Sequence, residues 1–130
     1  MQIDEKMMRR MAALRREQSE VGYVMAIVRR QSDPRAAGLE DALLRREVVA
    51  TLAVCDRLGM ESDADRLSFC LLEITTFAGL RDLPRLNGLL NYAGGGSGDR
   101  MMAMLQAMPP PVWAQIAAKA PKVRRQRGIE

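Results

Sequence analysis

The residues able to do chemistry are few, and their spacing argues against catalysis. The 130-residue chain has no histidine. That removes the usual general base at neutral pH, the Ser-His and Cys-His nucleophile pairs and the commonest metal ligand. Its two cysteines, Cys55 and Cys70, form no CxxC motif and are too few for a zinc site. Both fall on apolar helical stripes, where a cysteine acts as a small buried hydrophobe, and a disulfide framework is not expected at this count. The segment Gly94-Gly95-Gly96-Ser97-Gly98 lacks the Lys-Ser/Thr of a P-loop and follows a helical pattern instead of a strand. It is therefore no phosphate or dinucleotide cradle. Carboxylate pairs at Glu40/Asp41 and Asp63/Asp65 stand at predicted helix starts, where capping accounts for them. The expectation is a protein with no enzymatic activity, no cofactor and no metal.

What remains is the chemistry of surfaces. Four of the ten methionines crowd into Met101–Met108. Methionine fills core gaps, but it also makes adaptable binding faces. With Trp113 as an anchor, the expected partner-binding residues are Met101, Met102, Met104, Leu105, Met108 and Trp113. A second surface is basic. The tail from Lys119 to Glu130 holds five basic residues and one acid, so the whole net charge of +4 resides there. Lys119, Lys122, Arg124, Arg125 and Arg127 are the expected nucleic-acid contacts. They would act on phosphates in a salt-sensitive way, without base stacking, since no aromatic residue interleaves with them.

The elements that must carry these residues read as helices throughout, with no period-2 alternation. A first helix spans about 4–31. Met7, Met11, Leu14, Gln18, Val21, Met25 and Val28 recur on it at alternating spacings of four and three. Such a stripe serves either as one face of a bundle helix or as a homodimer seam with Gln18 setting the register. Asp33-Pro34 reads as the N-cap and N1 of a next helix that Gly38 breaks early. From Leu39 a third pattern carries Leu44, Val48, Leu52, Cys55 and Leu58, and Gly59 stands at its C′ position. Ser62-Asp63-Ala64-Asp65 then resembles a capping box, and the helix it opens carries Leu67, Cys70, Leu71, Ile74 and Phe77 up to Gly79. Asp82-Leu83-Pro84 caps a short helix with Leu86, Leu89, Leu90 and Ala93. The turn around Gly59 has helix-turn-helix spacing, but its second helix opens on acids. An αα-hairpin is the better reading.

The expected fold is all-α: a small helical bundle over residues 1–93, with three long helices and a short fourth. A flexible Gly/Ser tether over 94–98 leads to an appendage over 99–120. This contains a short Met-rich helix, a triple proline and a short Trp-containing helix starting at Pro111. A solvated basic tail over 121–130 ends the chain. No apolar run is long enough to span a membrane, and the N-terminus turns charged without a signal-peptide core, so the cytoplasm is the expected location. The functional expectation is a non-enzymatic protein–protein interaction module: an adaptor, chaperone-like factor, inhibitor or regulator. Its partner is another protein or a second copy. The alternative is a nucleic-acid-binding accessory protein that uses the basic tail.

Overall fold

Two long apolar faces and one hairpin between them organise the molecule. The computed structural model describes residues 5–31, 34–84 and 100–130. Among these the fold is all-α, as the sequence patterning predicts. Helix α1 spans Glu5–Arg30 and is followed by the single turn α2, Pro34–Ala37. Helices α3, Asp41–Arg57, and α4, Asp63–Leu71, form a hairpin. Its turn is closed by a Schellman motif. The Met60 N–H donates to the Cys55 carbonyl at 3.0 Å and the Gly59 N–H to the Asp56 carbonyl at 3.1 Å. Gly59 takes a φ of 69°, the left-handed conformation that glycine adopts without steric cost. Ser62 caps α4 by accepting the Asp65 N–H at 3.4 Å.

The α3–α4 hairpin is the middle layer. On one side α1 and α2 pack against it through Val21, Val24, Met25, Val28, Ala36, Leu44, Val48, Leu52, Cys70 and Ile74. On the other side Val54, Cys55, Met60, Phe69 and Leu80 meet Met101, Met108 and Ile116. These last residues come from α5, Arg100–Ala107, and α6, Pro110–Gln126, with Met108 at the junction. No helix among the described residues is long and apolar enough to cross a membrane.

The structure corrects three expectations. The third predicted helix leaves α geometry after Leu71 for a π-helical turn, Leu72–Thr76, in which the Phe77 N–H donates to the Leu72 carbonyl at 2.7 Å. The wider turn buries the adjacent residues Glu73 and Ile74 together. Leu80–Asp82 forms a turn of 3₁₀ helix, and the Asp82 carboxylate pairs with Arg127. The short helix expected on Leu86–Ala93 and the tether at 94–98 lie outside the described residues.

The other two corrections concern the C-terminus. Helix α6 begins at Pro110, one residue before the expected Pro111, and it is long. It runs straight through Pro121 to Gln126. An internal proline costs a helix about 3 kcal/mol. Here that cost is offset because apolar residues are buried against the body on both sides of it, Ile116 and Ala120 before and Ile129 after. The expected solvated tail is therefore helical and packed, and even Ile129 is buried.

Candidate interaction surface

Three features are built from these elements: an exposed helical arm, an acidic groove and a buried ionic cluster. The arm is the first half of α1. Every described side chain from Glu5 to Ser19 is exposed, and the buried positions of α1 begin at Val21. Met8 is 60 % exposed and Met11 44 % exposed. The expected seam is thus divided in two. Val21, Met25 and Val28 are buried against α3 and α4 within the chain and cannot meet a partner. Met7, Met11 and Gln18 remain on the surface, and the Leu14 side chain lies outside the described residues.

Beside the base of the arm is an open groove of about 1050 Å³, lined by α1, the α3–α4 turn and the start of α4. Val24, Met60 and Leu67 are its apolar lining, and Glu20, Asp56, Glu61 and Asp63 its acidic one. Arg66 holds the groove together. Its Nε and Nη2 donate to the two Glu20 carboxylate oxygens at 2.7 and 2.8 Å. Its Nη1 donates to Asp56 Oδ1 at 2.7 Å and to the Met60 carbonyl at 3.0 Å. The hydrogen bond to Glu20 is the main cause that raises the Arg66 pKa above its ordinary value, and it does so against the opposing effect of burial. One guanidinium so ties α1, α3 and α4 together. It is not available to read nucleic acid from the hairpin.

The ionic cluster lies under α6. Glu73 is fully buried and accepts the Gly79 N–H at 3.0 Å, the Arg81 N–H at 2.9 Å and Arg127 Nη1. Glu47, also buried, accepts Arg81 Nη1 at 3.3 Å and lies 3.5 Å from Arg127 Nη1. Arg127 Nη2 completes the set by donating to Asp82 Oδ2 at 2.7 Å, while Arg46 donates to the Arg127 carbonyl. Buried carboxylates are tolerated only when paired and hydrogen-bonded, and this cluster meets that demand by drawing in the C-terminal arginine. Burial alone would lower the Arg127 pKa; the hydrogen bond and charge of Glu73, with Asp82 and Glu47, outweigh it and raise it.

The sequence-predicted sites are redistributed accordingly. Of the partner-binding set, Met101 and Met108 are 3 % and 2 % exposed within the chain's own core, so they face no partner. Apolar side chains from α3 and α4 already cover them. Trp113 is half-buried on Phe77, with ring centroids 4.8 Å apart, and its Nε1 donates to the Leu105 carbonyl at 3.4 Å. Leu105 is exposed, and the Met102 and Met104 side chains lie outside the described residues. Of the basic set, Lys119, Lys122 and Arg125 are exposed. Arg124 is only 2 % exposed, facing Glu130 at 3.4 Å, and Arg127 belongs to the cluster. These two are structural. The buried Asp65 carboxylate also accepts the Met101 N–H at 3.3 Å, so it caps α5 from a neighbouring helix.

The groove acids and the cluster were missed at the level of sequence. A signal for the cluster was present. Glu47 and Thr51 fall on the apolar face of α3 beside Leu44, Val48 and Leu52, and Glu73 sits one turn after Cys70. Polar residues at core-facing positions imply buried partners. Comparison with protein-family models, curated proteins and solved structures finds no match.

Proposed function

We propose that this chain is a cytoplasmic, non-enzymatic protein–protein interaction module, an adaptor or regulator that docks through the basic amphipathic first half of α1. One observation carries the reading: Met8 and Met11 stand 60 % and 44 % exposed on a helix whose described positions stay exposed for its first four turns. A lone helix of that length is marginal in water. Large apolar side chains on such a helix mark a helix-in-groove contact. Arginine-rich flanks add steering and orientation.

The test is site-specific photo-crosslinking in cells. A photoreactive residue at Met8 is compared with one at the exposed Ala118 on α6. The reading expects protein adducts from Met8 and none from Ala118. Equal yields at both sites, or none at either, would sink it.

A second reading keeps one observation of its own. Lys119, Lys122 and Arg125 remain exposed at helical spacing on α6, a phosphate-facing stripe of three charges. Removing the tail is not a usable test, since Ala120, Arg124 and Ile129 are core residues. Fluorescence anisotropy on a labelled duplex, comparing the chain with its Lys119→Ala/Lys122→Ala/Arg125→Ala variant, decides it. Salt-steep binding that the triple substitution abolishes would make nucleic acid the partner.

A further inference from the structure

The arm and the groove lie on one chain but cannot meet within it. Ser19, Glu20, Tyr23 and Val24 line the groove, and Glu5–Gln18 continues the same helix away from it. Their chemistries are opposite. Within the groove Arg66 is committed to Glu20 and Asp56. Glu61 and Asp63 are exposed and make no ion pair among the described residues. The groove thus offers an apolar lining of Val24, Met60 and Leu67 beside excess negative charge. The arm offers the complement. Glu5–Leu14 holds the cations Lys6, Arg9 and Arg10 and the apolar Met7, Met8, Met11 and Leu14 against one acid, Glu5, which pairs with Arg9 at 3.0 Å, so the arm keeps an excess of positive charge.

We propose that the groove receives the Lys6–Leu14 segment of a second copy of this chain, and that the exchange is reciprocal. Two chains then pair about a two-fold axis, each basic, methionine-bearing arm lying in the other's acidic groove. Such an isologous arrangement satisfies both surfaces at once and closes without further growth. The inference rests on the reading of α1 as the docking helix, and it names the partner.

The experiment measures mass in solution by light scattering coupled to size exclusion, at low and high salt, with two charge-reversed variants. One carries Arg9→Glu and Arg10→Glu in the arm; the other carries Glu61→Lys and Asp63→Lys in the groove. All four residues are exposed. The unsubstituted chain is expected to be a dimer whose dissociation constant rises roughly tenfold or more with salt, as screening of the charged contacts requires. Each variant alone sets like charges against each other and is expected to be monomeric. An equimolar mixture of the two variants is expected to form a heterodimer, because both arm–groove contacts are again opposite in sign.

A monomeric unsubstituted chain at low salt would overturn the proposal. So would variants that dimerise unchanged, or a mixture that stays monomeric. Should either variant lose its helical circular dichroism, the mass of the unsubstituted chain and its salt dependence decide the question. A monomeric chain whose Met8 still crosslinks to another protein would remove the second-copy inference and leave the interaction reading standing. A monomeric chain with no Met8 adduct would remove both.

Discussion

Replacing Arg127 by alanine should destabilise the fold although the residue is three from the C-terminus. The substitution removes contacts to three carboxylates, which differ greatly in exposure. Asp82 is 68 % exposed, so that contact contributes little, about 0.5 kcal/mol or less. Glu47 is buried but keeps Arg81 and Arg46, each at 3.3 Å. Glu73 is fully buried and keeps only the Gly79 and Arg81 N–H groups, with Arg81 Nε at 4.0 Å. Stripping a buried charge of its partner costs about 3–5 kcal/mol; the surviving donors reduce this to about 2–3 kcal/mol. In urea that moves the unfolding midpoint by roughly 1–2 M for a domain of this size. Followed by circular dichroism, Arg125→Ala is the control. Its side chain is exposed on the same helix and should cost no more than about 0.5 kcal/mol. A double-mutant cycle with Glu73→Gln should show a coupling of about 1.5 kcal/mol or more. Arg127 has a folded pKa above its ordinary value, so its contribution is fully present below that value and is lost only as pH rises beyond it. The deficit of the variant should stay constant from neutral to mildly alkaline pH. Were Arg127→Ala no more damaging than Arg125→Ala, the C-terminus would not be latched by this cluster, and the packed-tail account would fail.

Other outcomes follow from the same geometry. Met101→Ala should cost about 2–4 kcal/mol through cavity formation, whereas Met8→Asp should leave the melting temperature of the monomer unchanged; thermal unfolding of both compares core with arm. Gly79→Ala should destabilise by about 1–3 kcal/mol, since φ is +104° there and a Cβ would stand 3.3 Å from Val123 Cγ2. Gly22→Ala, with nothing within 4 Å of the new Cβ, should instead stabilise α1 by about 0.5–1 kcal/mol, and chemical denaturation reads both. Neither buried cysteine should react with a thiol reagent in the native state, and both should react in denaturant. The hydrogen bond with Cys55, and then burial, raise the Cys70 pKa well above its ordinary 9.0. A raised folded pKa favours the protonated fold. Stability should therefore be full below about pH 9 and decline above it, a slope that Cys70→Ala should remove.

Periodicity alone determined that this chain is all-α, because a 3.6-residue apolar repeat and a glycine or proline at each break are local properties. The Gly59 turn, the Ser62 cap and the Pro34 start were legible for that reason, each resting on a few neighbouring residues. Which apolar stripe meets which is not local. One stripe on α1 runs from Met7 to Val28 with Gln18 as its one polar position, yet its second half is covered by α3 and α4 while the described side chains of its first half stay exposed. The helical repeat is identical on both sides of that border. Likewise Met101 and Arg127 have the composition of a docking helix and a solvated tail, and only packing made them core and latch. Glu47 and Glu73 lie 26 positions apart and are joined by Arg81 and Arg127, residues that no spacing rule connects. Burying two carboxylates demanded cations from distant parts of the chain. Tertiary structure supplied them, and in doing so decided which of the five C-terminal charges remain on the surface.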